Sequence, residues 1–315
     1  MKNILRDRSF RLSIILTLVF LGIGLIFLFT GLAGYSWVLF VLLPLVIGFS
    51  IGAMPDKGWA YFGVAIASIF FLGLLLGMHL SGFICIIMLL PLIFTFVFIG
   101  SILRHLTMRY RKIKDEQFAN KLPVLFLPLI LFVAISPAER LLNDHKTDIV
   151  EVRTEQIFNY TPEQVYDAIK SVDTLIAEKP FLMNFDLPVP VKCVLEKEEV
   201  GGLRTCYFKS GNVSGGDFGS GTITEKITEL ERGKVLKMDV ISYNLIGRKW
   251  LGFKNAIYYF EKNGDGGCKM TRITTYTSEL SPRIYWEPLE KLGIRQEHEY
   301  VFTNLANDLK RRWGR

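Results

Sequence analysis

The sequence lacks charged side chains over three long stretches. No Asp, Glu, Lys or Arg occurs in residues 12–54, 58–103 or 122–137 of this 315-residue chain. A water-soluble domain does not bury uncharged runs of this length, whereas a bilayer core about 30 Å thick needs roughly 20 apolar residues in each helix that crosses it. The sequence therefore predicts a membrane region followed by a water-soluble part.

The soluble part has no excess of basic residues and none of the common catalytic or phosphate-binding motifs. The net charge of +7 arises before Thr147, where 13 basic residues stand against 6 acidic ones; 24 of each follow. A Gly-Lys-Ser/Thr loop, a His-Glu-x-x-His motif and a Gly-x-Ser-x-Gly motif are all missing, and the whole chain has four histidines. We therefore expect no nucleic-acid partner, no cofactor and no metal site.

Cysteine is scarce. Cys85 falls in an apolar stretch, and Cys193, Cys206 and Cys268 are spread over the soluble part. This spacing matches neither a zinc motif nor a disulfide framework. We therefore expect buried free thiols that pack as small hydrophobic side chains.

The apolar stretches predict a membrane region of about five helices in residues 1–146, because backbone amides in hydrocarbon find no water partner. The fifth span is the shortest and contains Pro123 and Pro128, so a re-entrant or interfacial segment is its alternative. The first stretch is too long for a signal-peptide core and has no cleavage pattern after it, so we expect it to be retained. The expected spans are residues 12–32, 36–54, 59–79, 82–103 and 122–137.

Basic residues precede the first span and fill residues 104–121, whereas the turns near Gly34 and Ser81 carry no charge. The positive-inside rule then places the N-terminus and residues 104–121 in the cytoplasm. Five spans put the soluble domain on the extracytoplasmic side, and four would leave it in the cytoplasm. We expect an integral protein of the cell (inner) membrane, held among bilayer lipids. No acid, Lys or Arg lies inside a span, which favours an anchor over a transporter.

Residues 147–315 follow a different pattern, in which short alternating segments are separated by glycine-rich turns. A strand at 150–158 precedes a short helix at 162–170, where Thr161 and Gln164 form a capping box. A long amphipathic helix over 294–313 ends the chain. This order predicts an α+β helix-grip domain, a seven-stranded curved antiparallel sheet around a long C-terminal helix. The six later strands are expected at 191–199, 203–210, 219–230, 234–243, 252–262 and 267–278.

This part of the chain resembles the START/SRPBCC superfamily, which includes polyketide-cyclase-like proteins. The resemblance lies in VRTEQIFNYTPEQVY (152–166), VGGLR (200–204), TEKITE (224–229) with its Glu-Arg-Gly turn, MTRIT (270–274) and the final helix. It covers about half of the chain and implies a helix-grip fold with a cavity for hydrophobic ligands. It implies no catalytic motif, and it names no ligand.

Strand alternation indicates which side chains face the interior. A hairpin that is symmetric about residues 211–221 places Arg204 opposite Glu225 and Cys206 opposite Ile223. Two interpretations of the first pair are open: an ordinary cross-strand ion pair on the exposed face, or the polar end of a ligand pocket. His298 lies on the inward stripe of the last helix, either as a core residue or as a pocket residue. The candidate ligand-binding residues are Arg204, Glu225, Tyr243, Tyr258, Arg272, His298 and Phe302.

These features favour a membrane-anchored protein that binds or transfers a lipid or another hydrophobic small molecule. One alternative is a cyclase or dehydratase that uses Glu225 or His298 as its base. A second alternative is a membrane-tethered sensor or protein-interaction module. A binder needs only one anchoring polar group, whereas an enzyme needs an acid or histidine with a shifted pKa deep in a cavity.

Overall fold

Apolar helices and an antiparallel sheet make up two separate units of this chain. A computed structural model describes residues 7–78, 80–110, 126–142, 148–211, 213, 217–247, 250–264 and 266–314. The first unit comprises Met1–Met78, Cys85–Lys146 and Glu279–Tyr285, and the second His79–Ile84, Thr147–Ser278 and Trp286–Arg315. The expected boundary between residues 146 and 147 lies outside the described residues and stays a prediction.

Two of the N-terminal helices begin at aspartates that cap them. Asp7 accepts a hydrogen bond from Phe10 N–H at the start of the first helix, and Asp56 accepts one from Trp59 N–H at the start of the third. A π-helical turn at Val38–Leu42 leads directly into the second helix. The helices are α1 (Arg8–Thr30), α2 (Leu43–Ile51), α3 (Lys57–Gly77), α4 (Phe83–Tyr110) and α5 (Leu129–Leu142).

Three of these helices, α1, α3 and α4, are long and apolar enough to cross a membrane. They confirm the first, third and fourth expected spans as candidates. The second expected span is a shorter apolar helix, Val38–Ile51, about 21 Å long at 1.5 Å per residue. The fifth lies partly outside the described residues, and α5 begins only at Leu129. A membrane crossing by these last two segments stays a prediction.

The second unit contains the expected seven-stranded antiparallel sheet, and the fold class is confirmed. The strands lie in the order β1-β7-β6-β5-β4-β3-β2, so β1 and β2 form the two edges. All strand pairs are antiparallel. The strands are β1 (Asp148–Phe158), β2 (Val189–Leu195), β3 (Leu203–Lys209), β4 (Gly221–Glu231), β5 (Val235–Leu245), β6 (Leu251–Asn263) and β7 (Gly267–Ser278).

Two helices pack on this sheet. The predicted capping box starts α6 (Pro162–Ile169), with Thr161 and Gln164 each bonded to the other's backbone N–H. The last helix, α7 (Arg283–Trp313), begins earlier than predicted. The buried stripe of α7 consists of His298, Val301, Phe302, Leu305 and Leu309, and Ile294, at the start of the predicted amphipathic helix, is partly buried. The four apolar side chains of this stripe pack against Leu236, Met238, Tyr258 and Met270 of the sheet.

The expectation that the cysteines are all free is wrong for one pair. Cys193 in β2 and Cys206 in β3 lie directly opposite each other and form a disulfide. Cys193 is the fifth residue of β2 and Cys206 is the fourth residue of β3, so the hairpin register brings the two together although their sequence spacing carries no motif. Cys85 and Cys268 are free.

Loss of this disulfide should destabilise the domain. The bond links residues 13 positions apart, and closing a loop of about this size is worth about 3 kcal/mol. In thermal unfolding of the full chain in detergent, we expect a reductant to lower the Tm of the wild type. The double variant Cys193→Ala/Cys206→Ala should unfold at the reduced wild-type temperature whether or not reductant is present. An equal response of both proteins to reductant would contradict the assignment.

Candidate functional site

A buried ion pair occupies the inner face of the sheet. Arg204 of β3 and Glu225 of β4 lie opposite each other, as predicted, and Cys206 lies opposite Ile223. Arg204 Nε donates to Glu225 Oε2 at 2.7 Å, and the two side chains are only 3% and 8% exposed. The alternative of an exposed surface pair is therefore excluded.

The protein already satisfies the hydrogen-bonding groups of Arg204. Nη1 donates to the carbonyl of Ile169 at 3.4 Å, and Nη2 donates to the Tyr258 hydroxyl at 3.3 Å. Burial opposes the charged form, but Glu225 and Tyr258 outweigh it and raise the pKa of Arg204. This arginine is thus charged and fully engaged by its surroundings, which is the pattern of a structural ion pair.

A second buried arginine lies near this ion pair, and some of its N–H donors have no acceptor among the described residues. Arg272 of β7 lies opposite Tyr258 of β6, and its Nη2 contacts Glu297 of α7 at 2.9 Å. Arg272 is 8% exposed. Its Nε and Nη1 are buried and have no hydrogen-bond partner among the described residues. A buried donor without an acceptor costs about 1–3 kcal/mol, so such a group calls for an explanation.

Tyr258 connects the two ion pairs. The guanidinium carbons of Arg204 and Arg272 lie 5.4 and 5.7 Å from the centre of its ring. A cation within about 6 Å of an aromatic ring is attracted to the ring face. The two ion pairs and the tyrosine therefore form one group. We call it the buried charge cluster, and its members are Arg204, Glu225, Tyr258, Arg272 and Glu297.

The charges of the cluster balance when both carboxylates are ionised. Burial raises the pKa of Glu297, and Arg272 only partly offsets this effect. The pKa of Arg272 is itself raised, because Glu297 and Tyr258 outweigh its burial. Glu297, whose side chain is 19% exposed, therefore holds a proton more readily than a glutamate in water does.

His298 is buried in the core and links α7 to the sheet through two hydrogen bonds. Its Nδ1 and Nε2 lie 2.6 and 2.8 Å from the hydroxyls of Thr154 in β1 and Thr274 in β7. A neutral ring satisfies both contacts by accepting at one nitrogen and donating from the other. Burial, and then the charge of Arg272, hold the pKa of His298 well below its usual value. Phe302 packs against this ring and against Phe158.

Tyr243 is the sequence candidate that packs elsewhere. Tyr243 belongs to β5 and lies opposite Ile223 of β4. It packs on Phe253, which in turn packs on Tyr276.

Glu297 is the residue that the sequence reasoning missed. Its position next to His298 on a predicted helix was the available signal, but the pairing with Arg272 joins elements 25 residues apart. Among the described residues, no group of three or more His, Cys, Asp or Glu side chains could hold a metal ion.

The chain matches no protein-family model and no curated protein. It is similar in structure to the Zhui aromatase/cyclase from a Streptomyces species, at 13% identity and a TM-score of 0.36, covering 52% of this chain and 96% of that one. It is also similar to norcoclaurine synthase from Thalictrum flavum, at 12% identity and a TM-score of 0.35, covering 55% and 92%. A protein of unknown function from Staphylococcus aureus is similar at 15% identity and a TM-score of 0.34, covering 52% of this chain and 98% of that one. At these scores the likenesses do not bear on what this chain does.

His298 should make the domain sensitive to acid. Its pKa is depressed in the folded state, so the unfolded chain binds the extra proton and stability falls as the pH drops below about 6.5. The limiting slope is about 1.4 kcal/mol per pH unit. Glu297, with its raised pKa, acts in the opposite direction, since its contribution is lost as the pH rises.

The two effects can be separated by a matched variant. His298→Gln keeps hydrogen-bonding groups beside both threonines but does not titrate. We expect the Tm difference between wild type and His298→Gln to change between pH 7 and pH 5, with the wild type losing relative stability in acid. Parallel pH profiles for the two proteins would show that His298 is not held neutral.

Proposed function

We propose that this protein is a membrane-anchored binder of a lipid or another hydrophobic molecule, which it holds between α7 and the sheet. The three candidate spans would keep the domain beside the bilayer. Tethering raises the effective concentration of the domain at a surface into which such a ligand partitions. The apolar residues of the inner sheet face, with Phe302 and Leu305 of α7, suit the apolar part of the ligand.

The observation that carries this proposal is the pair of unsatisfied donors on Arg272. A core selected only for stability gains nothing from a buried guanidinium that lacks acceptors. A ligand oxygen would supply the missing acceptor and orient the molecule at the buried charge cluster. Nε and Nη1 are sealed from solvent among the described residues. Neighbouring side chains must therefore shift when the ligand binds.

Binding is supported better than catalysis. Glu225 is paired with Arg204, and both ring nitrogens of His298 are bonded to threonine hydroxyls. A general base needs a free lone pair within reach of the proton that it removes. Among the described residues, His298 therefore has no ring nitrogen left for this role, and Glu225 is held by the Arg204 guanidinium through Oε2.

We also propose that the domain faces the extracytoplasmic side. The basic residues before the first span and in 104–121 favour a cytoplasmic location for those segments. The Cys193–Cys206 disulfide adds independent support, since disulfides persist in oxidising compartments and are rare in the cytosol. This orientation requires the fifth span to cross the membrane.

Replacement of Arg272 should reduce ligand occupancy more than it reduces stability. Arg272→Met removes the free donors and leaves Glu297, which is partly exposed and has a raised pKa, able to become neutral. Native mass spectrometry of the full chain released in mild detergent should show a bound hydrophobic molecule in the wild type. We expect its occupancy to fall several-fold in Arg272→Met.

Arg204→Met is the matched control. It leaves Glu225 buried without its partner, which costs about 3–5 kcal/mol, so we expect a large loss of Tm. At temperatures where this variant is still folded, it should bind more ligand than Arg272→Met. Unchanged occupancy in Arg272→Met, or no bound molecule in the wild type, would refute the proposed role.

Orientation is tested by labelling intact cells with a membrane-impermeant thiol reagent. Val200→Cys reports on the β2–β3 turn, where Val200 is 65% exposed, and Lys57→Cys reports on the opposite side of the membrane. We expect Val200→Cys to be labelled in intact cells and Lys57→Cys only after lysis. Labelling of Val200→Cys only after lysis would place the domain in the cytoplasm, whatever the result at position 57.

A further inference from the structure

A buried aspartate organises one end of the sheet. Asp186 is fully buried, and its carboxylate accepts hydrogen bonds from Phe83 N–H at 3.0 Å and Val213 N–H at 3.1 Å. Its φ of 58° is in the left-handed region that a non-glycine residue seldom adopts. The backbone is thus held in an unfavourable conformation at a point where the segment 80–84 of this unit meets the 181–188 loop.

Three phenylalanines extend from this point to the surface. The rings of Phe83 and Phe185 lie 5.9 Å apart, and those of Phe185 and Phe181 lie 5.0 Å apart. Phe181 is 70% exposed. We call Phe83, Phe185 and Phe181 the aromatic row. Phe83 is the first residue of a candidate membrane span, so the row starts where that span starts.

The loop that carries the row is held through its backbone by α7. Asn304 Oδ1 accepts from the N–H groups of Ile176 and Ala177 at 2.7 and 2.8 Å. Gln296 Oε1 accepts from Leu182 N–H at 2.7 Å, and the Tyr300 hydroxyl donates to the Leu175 carbonyl at 2.9 Å. These contacts fix the loop without using the side chains of Ile176 or Phe181, which are 83% and 70% exposed.

A further apolar side chain lies at the same end of the sheet. Ile246 is 52% exposed and pairs through its backbone with Gly219. A Cβ on Gly219 would lie 3.5 Å from the Asp186 carbonyl, so this pair borders the buried aspartate. The exposed apolar groups are therefore gathered around Asp186.

We propose that this end of the domain rests on the bilayer, with Phe181 and Ile246 at the boundary between lipid headgroups and acyl chains. Phenylalanine and aliphatic side chains of interfacial segments bury about 5–10 Å into that region. The bilayer is favoured as the partner because the aromatic row is continuous with the first residue of a candidate span. The proposal rests on the membrane anchoring proposed above but not on the identity or presence of an interior ligand.

Site-specific photo-crosslinking tests the contact. The full chain would be reconstituted in phosphatidylcholine nanodiscs with a photo-reactive phenylalanine analogue at position 181, or at 246 in a second variant. The control position is Val200, which is 65% exposed and lies at the other end of β3, about 20 Å away at 3.3 Å per residue. Mass spectrometry would then measure the lipid attached at each position.

We expect several-fold more phosphatidylcholine adducts at 181 and 246 than at 200. Equal labelling at the three positions would overturn the proposal, as would crosslinking of position 181 to protein in place of lipid. Ligand occupancy of the same samples by native mass spectrometry is read separately, so loss of the bilayer contact and loss of interior binding are distinguishable. A chain that does not incorporate into nanodiscs at all would refute the anchoring instead.

Discussion

The structure of the second unit depends on placing two guanidinium ions between a sheet and a helix. Each buried cation must be matched by a carboxylate, since an unpaired charge there costs several kcal/mol. The β3–β4 register supplies Glu225 to Arg204, and the position of α7 supplies Glu297 to Arg272. A shift of one residue in the β3–β4 register would turn one partner to the other face of the sheet and leave the other buried alone. The pairing of charges in the buried charge cluster therefore favours the observed β3–β4 register and the observed position of α7 on the sheet.

Local patterns predicted much of this arrangement. Glycine-rich turns bounded the strands, the capping box of Thr161 and Gln164 located α6, and alternation about the 211–221 loop gave the Arg204–Glu225 pairing. The inward stripe around His298 followed from helical periodicity. These features succeed because hairpins and single helices are determined by neighbouring residues. Only the structure shows that the Arg204–Glu225 pair is buried, because strand alternation places both side chains on one face of the sheet but does not say which face is covered.

Features that join distant elements escaped the sequence. Glu297 meets Arg272 only after α7 folds back over β7. The Cys193–Cys206 pair is local by contrast, since β2 and β3 form a hairpin, and it was missed because the expected strand at 191–199 ends four residues beyond the end of β2. Tyr243 shares a face with Ile223 yet packs in another aromatic group, because the sheet is longer than the cluster. Helix ends are likewise set by packing and caps, which is why the segment at 36–54 forms a helix shorter than its apolar stretch predicts.

We propose separate tasks for two parts of the domain: the apolar end around Asp186 would contact the bilayer, and the interior beside Arg272 would hold the ligand. The claim about Arg272 is the central one, and a structure of the full chain extracted with native membrane lipid tests it most directly. The account predicts density for a bound molecule between α7 and the sheet, with an oxygen within hydrogen-bond distance of Arg272 Nε or Nη1. An interior closed by protein side chains alone, with both nitrogens still lacking an acceptor, would contradict it.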